Sequence, residues 1–327
     1  MVLENILSPT TAREKPYYMG IIAFLFTIVG LWLAYYLFPN SASILTLAFI
    51  VIAAEPIIRS TFQQTEEEEA TRPGKASTFL ERHFDLVKIY SWFFLGLVLA
   101  FATWYIILPE TAQGNCALGD ICKQLPSRGS IYEEQEHQLR GIGELRAQLQ
   151  SESTPITGNA TAGYNIGGNV ESPPTSTTKD RDFWSVVGFL FSNNATVLLL
   201  AILFSFLFGE GALFLISWNA SIIGTVIGKI SAQTLATMPT HDIFSVIYSL
   251  GMGVYQGIGF IPHGIPEIVA YYIGAIAGGI ISVSMAKEVY KTNEFETIAK
   301  DAGALVITAV IVLFIAALIE GYLWLYT

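Results

Sequence analysis

The sequence predicts an all-α protein, a polytopic transmembrane bundle of about seven to eight membrane-inserted helices with one long external loop. Three observations predict it. Of 327 residues, 52% are hydrophobic and only 13% charged, where a soluble domain carries roughly a quarter charged residues. Mean hydropathy is +0.51. The apolar residues gather into eight separate runs, most of them near the roughly 20 residues a helix needs to cross the hydrocarbon core.

Residues 1–17 are polar, and the first run, 18–38, is too long for a signal-peptide core and has no small-residue cleavage site behind it. It is expected to stay as an anchor. Runs 42–58 and 87–108 complete an N-terminal membrane region, residues 1–108, whose second and third spans are joined by a linker over 59–86. Arg13 and Lys15 before the first span, and Arg59, Arg72, Lys75 and Arg82 in the linker, place both on the cytoplasmic side. Glu66 to Glu69 followed by Arg72-Pro73-Gly74-Lys75 reads as a solvated, flexible stretch. The third span then delivers residues 109–184 outside.

That loop carries the chain's only cysteines, Cys116 and Cys122. Their spacing allows a small disulfide-closed loop in an oxidising compartment. A metal pair is the alternative, and it is disfavoured because no second cysteine pair exists and only His137 is near. Asn159-Ala160-Thr161 is a glycosylation acceptor pattern. Residues 131–150 place apolar side chains at 131, 139, 142, 145 and 149 among many charges, a helical stripe that suits a solvated helix or one packed on the membrane or a partner. Residues 151–179 are rich in Ser, Thr, Pro and Gly and are expected to remain a partly disordered linker.

The second membrane region, 185–327, holds runs 185–209, 211–228, 243–261, 265–286 and 303–326. If all eight runs cross, the connection with Lys287, Lys291 and Lys300 falls outside, against the charge rule; if one is re-entrant, it moves inside. Run 211–228 is the natural re-entrant candidate, being short, close behind its predecessor, and furnished with Trp218, Asn219 and several small residues. Gly253 and Gly257 form a Gly-xxx-Gly pair, which predicts close helix packing and allows homo-oligomer formation.

Ionisable residues inside apolar runs are costly and usually face the bundle interior or mark a site. Glu55 precedes Pro56 near the end of its run and suits the membrane interface, whereas Glu320 lies within a run otherwise free of charge. Glu210 and Glu267 each sit between two closely spaced runs, in Gly209-Glu210-Gly211 and in Pro262-His263-Gly264-Ile265-Pro266-Glu267. Pro266 suits a first helical turn, and Glu267 behind it would gain from the helix dipole. With prolines on both flanks, His263 and Glu267 are expected to line a tight turn. Together Glu210, Asn219, His263, Glu267 and Glu320 are the candidate intramembrane polar cluster. Enzyme signatures for zinc hydrolysis, a nucleophile elbow or a phosphate loop are absent from the sequence. No catalytic residue, metal site or cofactor is therefore expected, and the acidic balance of −10 argues against nucleic acid as a partner.

The order of features in the second half resembles the stage II sporulation protein M family. Phe191-Ser192-Asn193-Asn194, the Gly209-Glu210-Gly211 break, Asn219, the Pro262 to Glu267 turn and a final helix with Ile319-Glu320 carry the resemblance, over roughly residues 182–326. Pro266 stands where family members often have an aromatic or aliphatic residue. The resemblance implies an integral membrane protein that, in sporulating bacteria, anchors peptidoglycan-degrading partners. The expectation is a non-enzymatic scaffold or assembly factor in the cell membrane, its N-terminus cytoplasmic, in contact with the bilayer and, through 109–184, with an external protein partner. A transporter or ion-conducting protein using the His/Glu cluster is the alternative.

Overall fold

A computed structural model describes residues 7–70, 79–110, 125–140, 178–208, 212–240, 242–258, 261–286, 288–292 and 294–326. Among these the chain is helical, with no strand. A short α1, Pro9–Glu14, is capped by Ser8, whose hydroxyl accepts from the Thr11 N–H. Then come α2 (Tyr17–Leu37), α3 (Ala42–Ala70), α4 (Phe79–Ile107), α5 (Arg128–Ile131), α6 (133–140), α7 (Thr178–Phe208), α8 (Ala212–Ala236), α9 (Ile243–Gly257), α10 (Ile261–Ala286) and α11 (Glu294–Tyr326).

Seven of these helices are long and apolar enough to cross a membrane: α2, α3, α4, α7, α8, α10 and α11. Their relative directions follow from which residues meet. Tyr17 packs near Trp92 and Trp32 near Trp104, so α2 and α4 run parallel. Gly224 of α8 meets Phe101, and Gly228 meets Tyr105, so α8 is parallel to α4. Gly274 of α10 meets Leu198 and Ile202, and Gly278 meets Ser205, so α10 runs with α7. The α11 helix opposes α7, with Phe314 against Phe191 and Gly321 against Val187. Only residues 209–211 separate α7 from α8, and the two helices touch, so α8 returns antiparallel to α7. It follows that α8 and α10 have opposite directions.

This arrangement corrects the sequence reading of runs 211–228 and 243–261. The first does not re-enter: it belongs to a helix that spans Leu213–Ala236, continuing past Gly228 because Lys229 points to the outside while Ser231 is buried in the packing. The short element is α9, of 15 residues, too short to cross. Gly253 meets Ser231 and Ile227 of α8, and Gly257 meets Ile227, so α9 lies back along α8. Since α8 and α10 have opposite directions, α9 and α10 together make one crossing.

The polar segments are also more helical than expected. The α3 helix runs on through Glu66 to Glu69 and ends at Ala70, and α4 begins at Phe79, so most of the expected linker over 59–86 is helix; residues 71–78 lie outside the described residues. Glu and Gln are good helix formers, and a helix already nucleated in the membrane propagates through them at little cost. Glu55 pairs with Arg59 at 3.1 Å near the end of its span, in keeping with an interfacial place.

Small residues set the tightest contacts. A Cβ at Gly96 would land on the Gly20 carbonyl, and one at Gly228 would come within 2.5 Å of the Tyr105 Cβ. At these crossings, backbone takes the place of side chain. Three apolar clusters result among the described residues: a large one around Phe93, Phe101 and Leu97 among α2, α3, α4 and α8, a second around Ile273, Ile276 and Leu313 among α7, α10 and α11, and a small one of Val186, Val187, Leu190 and Ala317 between α7 and α11.

Candidate functional site

The α10 helix begins at Ile261 and continues through both prolines. The expected tight turn at 262–267 is therefore helix. Pro262 falls in the first turn, where its missing N–H has no partner to lose. Pro266 lies deeper and gives up a bond to the Pro262 carbonyl. Glu267 is past the first turn, where the dipole effect has faded, so a different interaction must hold its carboxyl group. His263 and Glu267, four residues apart on a helix, share a face.

That interaction comes from α7. The Asn194 amide Nδ2 donates to Glu267 Oε1 at 2.6 Å, near the middle of the Phe183–Leu207 span. Glu320 of α11 is close enough to act electrostatically on the same carboxyl group. Tyr271, one turn further along α10, is buried beside both acids. Three helices thus deliver an amide, two carboxyl groups and a phenol to one place inside the apolar thickness. Leaving a polar group without a partner there costs several kcal/mol, and the Asn194 to Glu267 hydrogen bond meets that demand for both residues.

Of the expected cluster, then, Glu267 and Glu320 come together, with His263 one turn away. Asn219 does not join them: its amide donates to the Leu215 carbonyl of its own helix at 2.8 Å. Glu210 lies outside the described residues, as do Cys116, Cys122 and Asn159. Asn194 and Tyr271 were missed. The signal for Asn194 was an asparagine in an apolar run, the same reason Asn219 was chosen. Two surface clefts, one beside Thr292, Phe295 and Lys300 and one beside Met238, Asp242 and Tyr248, lie at helix ends away from the cluster.

A second polar arrangement lies in the loop. Of the expected stripe over 131–150, residues 141–150 lie outside the described residues; the described part docks on the chain's own bundle through one face and leaves Glu133, Glu134, His137 and Gln138 exposed on the other. Tyr132 and Gln135 are fully buried. The Tyr132 hydroxyl donates to the Phe101 carbonyl at 2.7 Å, and burial holds its ionisation well above the ordinary tyrosine range. Ser43 of α3 donates to Gln135 Oε1 at 2.8 Å, and Gln135 Nε2 donates to Ser221 Oγ of α8 at 3.1 Å. The Arg128 guanidinium donates to the Tyr105 carbonyl at 2.6 Å, satisfying an orphan acceptor at the end of α4. The Tyr105 hydroxyl in turn donates to Glu136 at 2.8 Å.

The family model for stage II sporulation protein M matches residues 23–323. The chain belongs to the stage II sporulation protein M family. The match takes in the first three spans and the loop as well, so the resemblance is not confined to the C-terminal half. No curated protein and no solved structure matches the chain. Its membership and its seven candidate spans fit a multi-pass integral membrane protein.

Proposed function

We propose that this family member is a non-enzymatic membrane scaffold or assembly factor for a complex of the cell envelope. The observation that carries the reading is the seated segment 125–140. Seated on the bundle, it offers a fixed base within the loop, as a platform for an external protein partner requires. Cys116 and Cys122, before it in the sequence, would close a disulfide loop, and Asn159, after it, is the glycosylation acceptor.

Helix directions joined to charge support an orientation in the cell membrane. The end of α3 and start of α4 share one side with the end of α10 and start of α11, and the sequence between those helices holds Arg72, Lys75, Lys287 and Lys291, whereas the sequence between α2 and α3 and between α8 and α9 has no Lys or Arg. By the charge rule the first side, with the N-terminus, is cytoplasmic. The test is affinity capture of the tagged chain from its native membrane, with 141–177 either present or excised and 125–140 kept. A partner that co-purifies with the full chain and is lost on excision supports the scaffold; an unchanged set of partners removes the loop from the argument.

The second reading, a transporter or ion-conducting protein, is favoured by the Asn194, Glu267 and Glu320 contact. Reconstituted ion or proton flux abolished by Glu267→Gln would establish it. Flux that persists unchanged in both Glu267→Gln and Glu320→Gln counts against it.

A further inference from the structure

An asparagine on the outward face of a membrane helix is costly, because its amide carries donors and an acceptor that lipid tails cannot meet. Asn193 of α7 is such a residue. It lies within one turn of the middle of the Phe183–Leu207 span. The packed side of α7 is the other one: Leu198, Ile202 and Ser205 meet α10, and Val187 and Phe191 meet α11. Asn193 is exposed, as are Gly188, Phe189, Ser192 and Thr196 around it. The Thr196 hydroxyl donates to the Ser192 carbonyl at 3.0 Å. Among the described residues, the Asn193 side chain makes one long hydrogen bond, 3.4 Å from its Nδ2 to Asn194 Oδ1, while Asn194 turns its own amide inward to Glu267. The Asn193 Oδ1 acceptor and its second amide hydrogen have no partner among the described residues.

The Gly253 and Gly257 pair, which the sequence offers as an oligomer contact, is used inside the chain, against Ser231 and Ile227 of α8. The outward face of α7 has the same kind of spacing. Gly188, Ser192 and Thr196 recur every fourth residue, which keeps them on one side, and a Cβ added at Gly188 would meet nothing within 4 Å. Small residues so placed let two helix backbones approach closely. Asn193 is what demands a partner; the small residues decide how near it can come. A second copy supplies that partner from this sequence alone. Two copies inserted in one orientation, related by a two-fold axis, set each residue opposite itself at equal depth. A carboxamide both donates and accepts, so it pairs with its own kind through two hydrogen bonds.

We propose that the chain forms a dimer in the membrane, α7 against α7, with the Asn193 amides of the two copies hydrogen-bonded to each other across the axis. The inference goes beyond the scaffold reading and does not rest on it, and its test keeps residues 141–177 in place.

The experiment uses the full chain with Cys116→Ser and Cys122→Ser, in its native membrane and in liposomes, carrying either Thr196→Cys or Ile311→Cys, the latter on the exposed face of α11. Oxidation by copper phenanthroline is expected to link Thr196→Cys into a product of twice the chain mass and to leave Ile311→Cys unlinked. Single-molecule photobleaching in liposomes then measures the monomer to dimer equilibrium, and Asn193→Leu should raise its dissociation constant about tenfold, the size of one interhelical polar contact in a membrane. A wild-type chain that is monomeric in liposomes overturns the proposal, as does a dimer indifferent to Asn193→Leu or one that links through Ile311→Cys as readily as through Thr196→Cys. A Thr196→Cys product in the native membrane with the mass of this chain joined to a different protein gives the face to another occupant and overturns it too. The cross-linking result with Asn193 intact stands whether or not the Asn193→Leu chain folds.

Discussion

At the scale of single residues, the most consequential side chain is Gln135, which neither charge nor hydropathy singles out. It bridges Ser43 and Ser221, partners 92 and 86 residues away in sequence. Gln135→Ala removes both hydrogen bonds; the Ser221 hydroxyl keeps its donation to the Trp218 carbonyl, while the buried Ser43 hydroxyl loses its acceptor, a cost of about 1–3 kcal/mol. It should lower the thermal midpoint of the purified protein in detergent; an unchanged midpoint would contradict the seated position. Asp242 allows a test in pH. Its carboxylate accepts from the Ser245 N–H at 2.8 Å, capping α9, and that bond holds its pKa below the ordinary aspartate range. The folded value is the lower one, so the cap's contribution is complete above the unfolded aspartate pKa and is lost as pH falls through the folded value. Hydrogen exchange at the Ser245 amide should be protected at neutral pH and accelerate in acid beyond the intrinsic rate; equal protection at both would show that the carboxylate does not cap the helix. Long-range pairs such as these leave no local trace in a sequence, which is why Gln135 and Tyr132 were invisible there, whereas Glu320, a lone acid in an apolar run, was visible at once.

Single elements were legible where one composition governs a whole helix. The α2 span carries no charge, the α4 span only Lys88 at its edge and α11 only Glu320 past its first two turns, and all three are placed from hydropathy alone. The α9 helix was misread because a window of average hydropathy conceals its two faces. Ser245, Ser249 and Gly253 form a buried small face, while Ile243, Phe244, Ile247, Tyr248 and Tyr255 are exposed. Taken at helical spacing, that division was present in the sequence, but length was the deciding quantity and a run boundary hides it. The small face makes a paired prediction. Gly253→Ala puts a methyl group on the Ser231 hydroxyl and 2.7 Å from the Ile227 carbonyl, whereas Gly251 has open space around it. The first should destabilise by about 1–3 kcal/mol through overpacking. The second should be neutral or stabilise by up to about 1 kcal/mol through helix propensity. Thermal midpoints of the two variants that fall together would remove the α8 to α9 contact from the account.

At the scale of the molecule, the number of crossings settles which ends of the helices share a side. In a chain with Cys116 and Cys122 replaced by serine, a cysteine at Tyr290 should be protected from a membrane-impermeant maleimide in intact cells, and a cysteine at Pro239 should react. Labelling of both, or the reverse pattern, would mean that α9 crosses or that the chain is inverted. The family and the membrane class were legible because they rest on segments of contiguous sequence. The way α9 and α10 share one crossing was not, because it depends on helix directions that only contacts between distant segments reveal.

The bridge made by Gln135 also imposes an order of events during synthesis. Its first partner, Ser43, is translated well before it, and its second, Ser221, well after, on a helix that must first enter the membrane. In the orientation proposed above, the loop segment is exported by then and waits without its full seat. Final closure of the N-terminal bundle is thus deferred until α8 arrives, so a chain stalled by the ribosome before that helix should carry an exposed Gln135 segment open to proteases on the outer face.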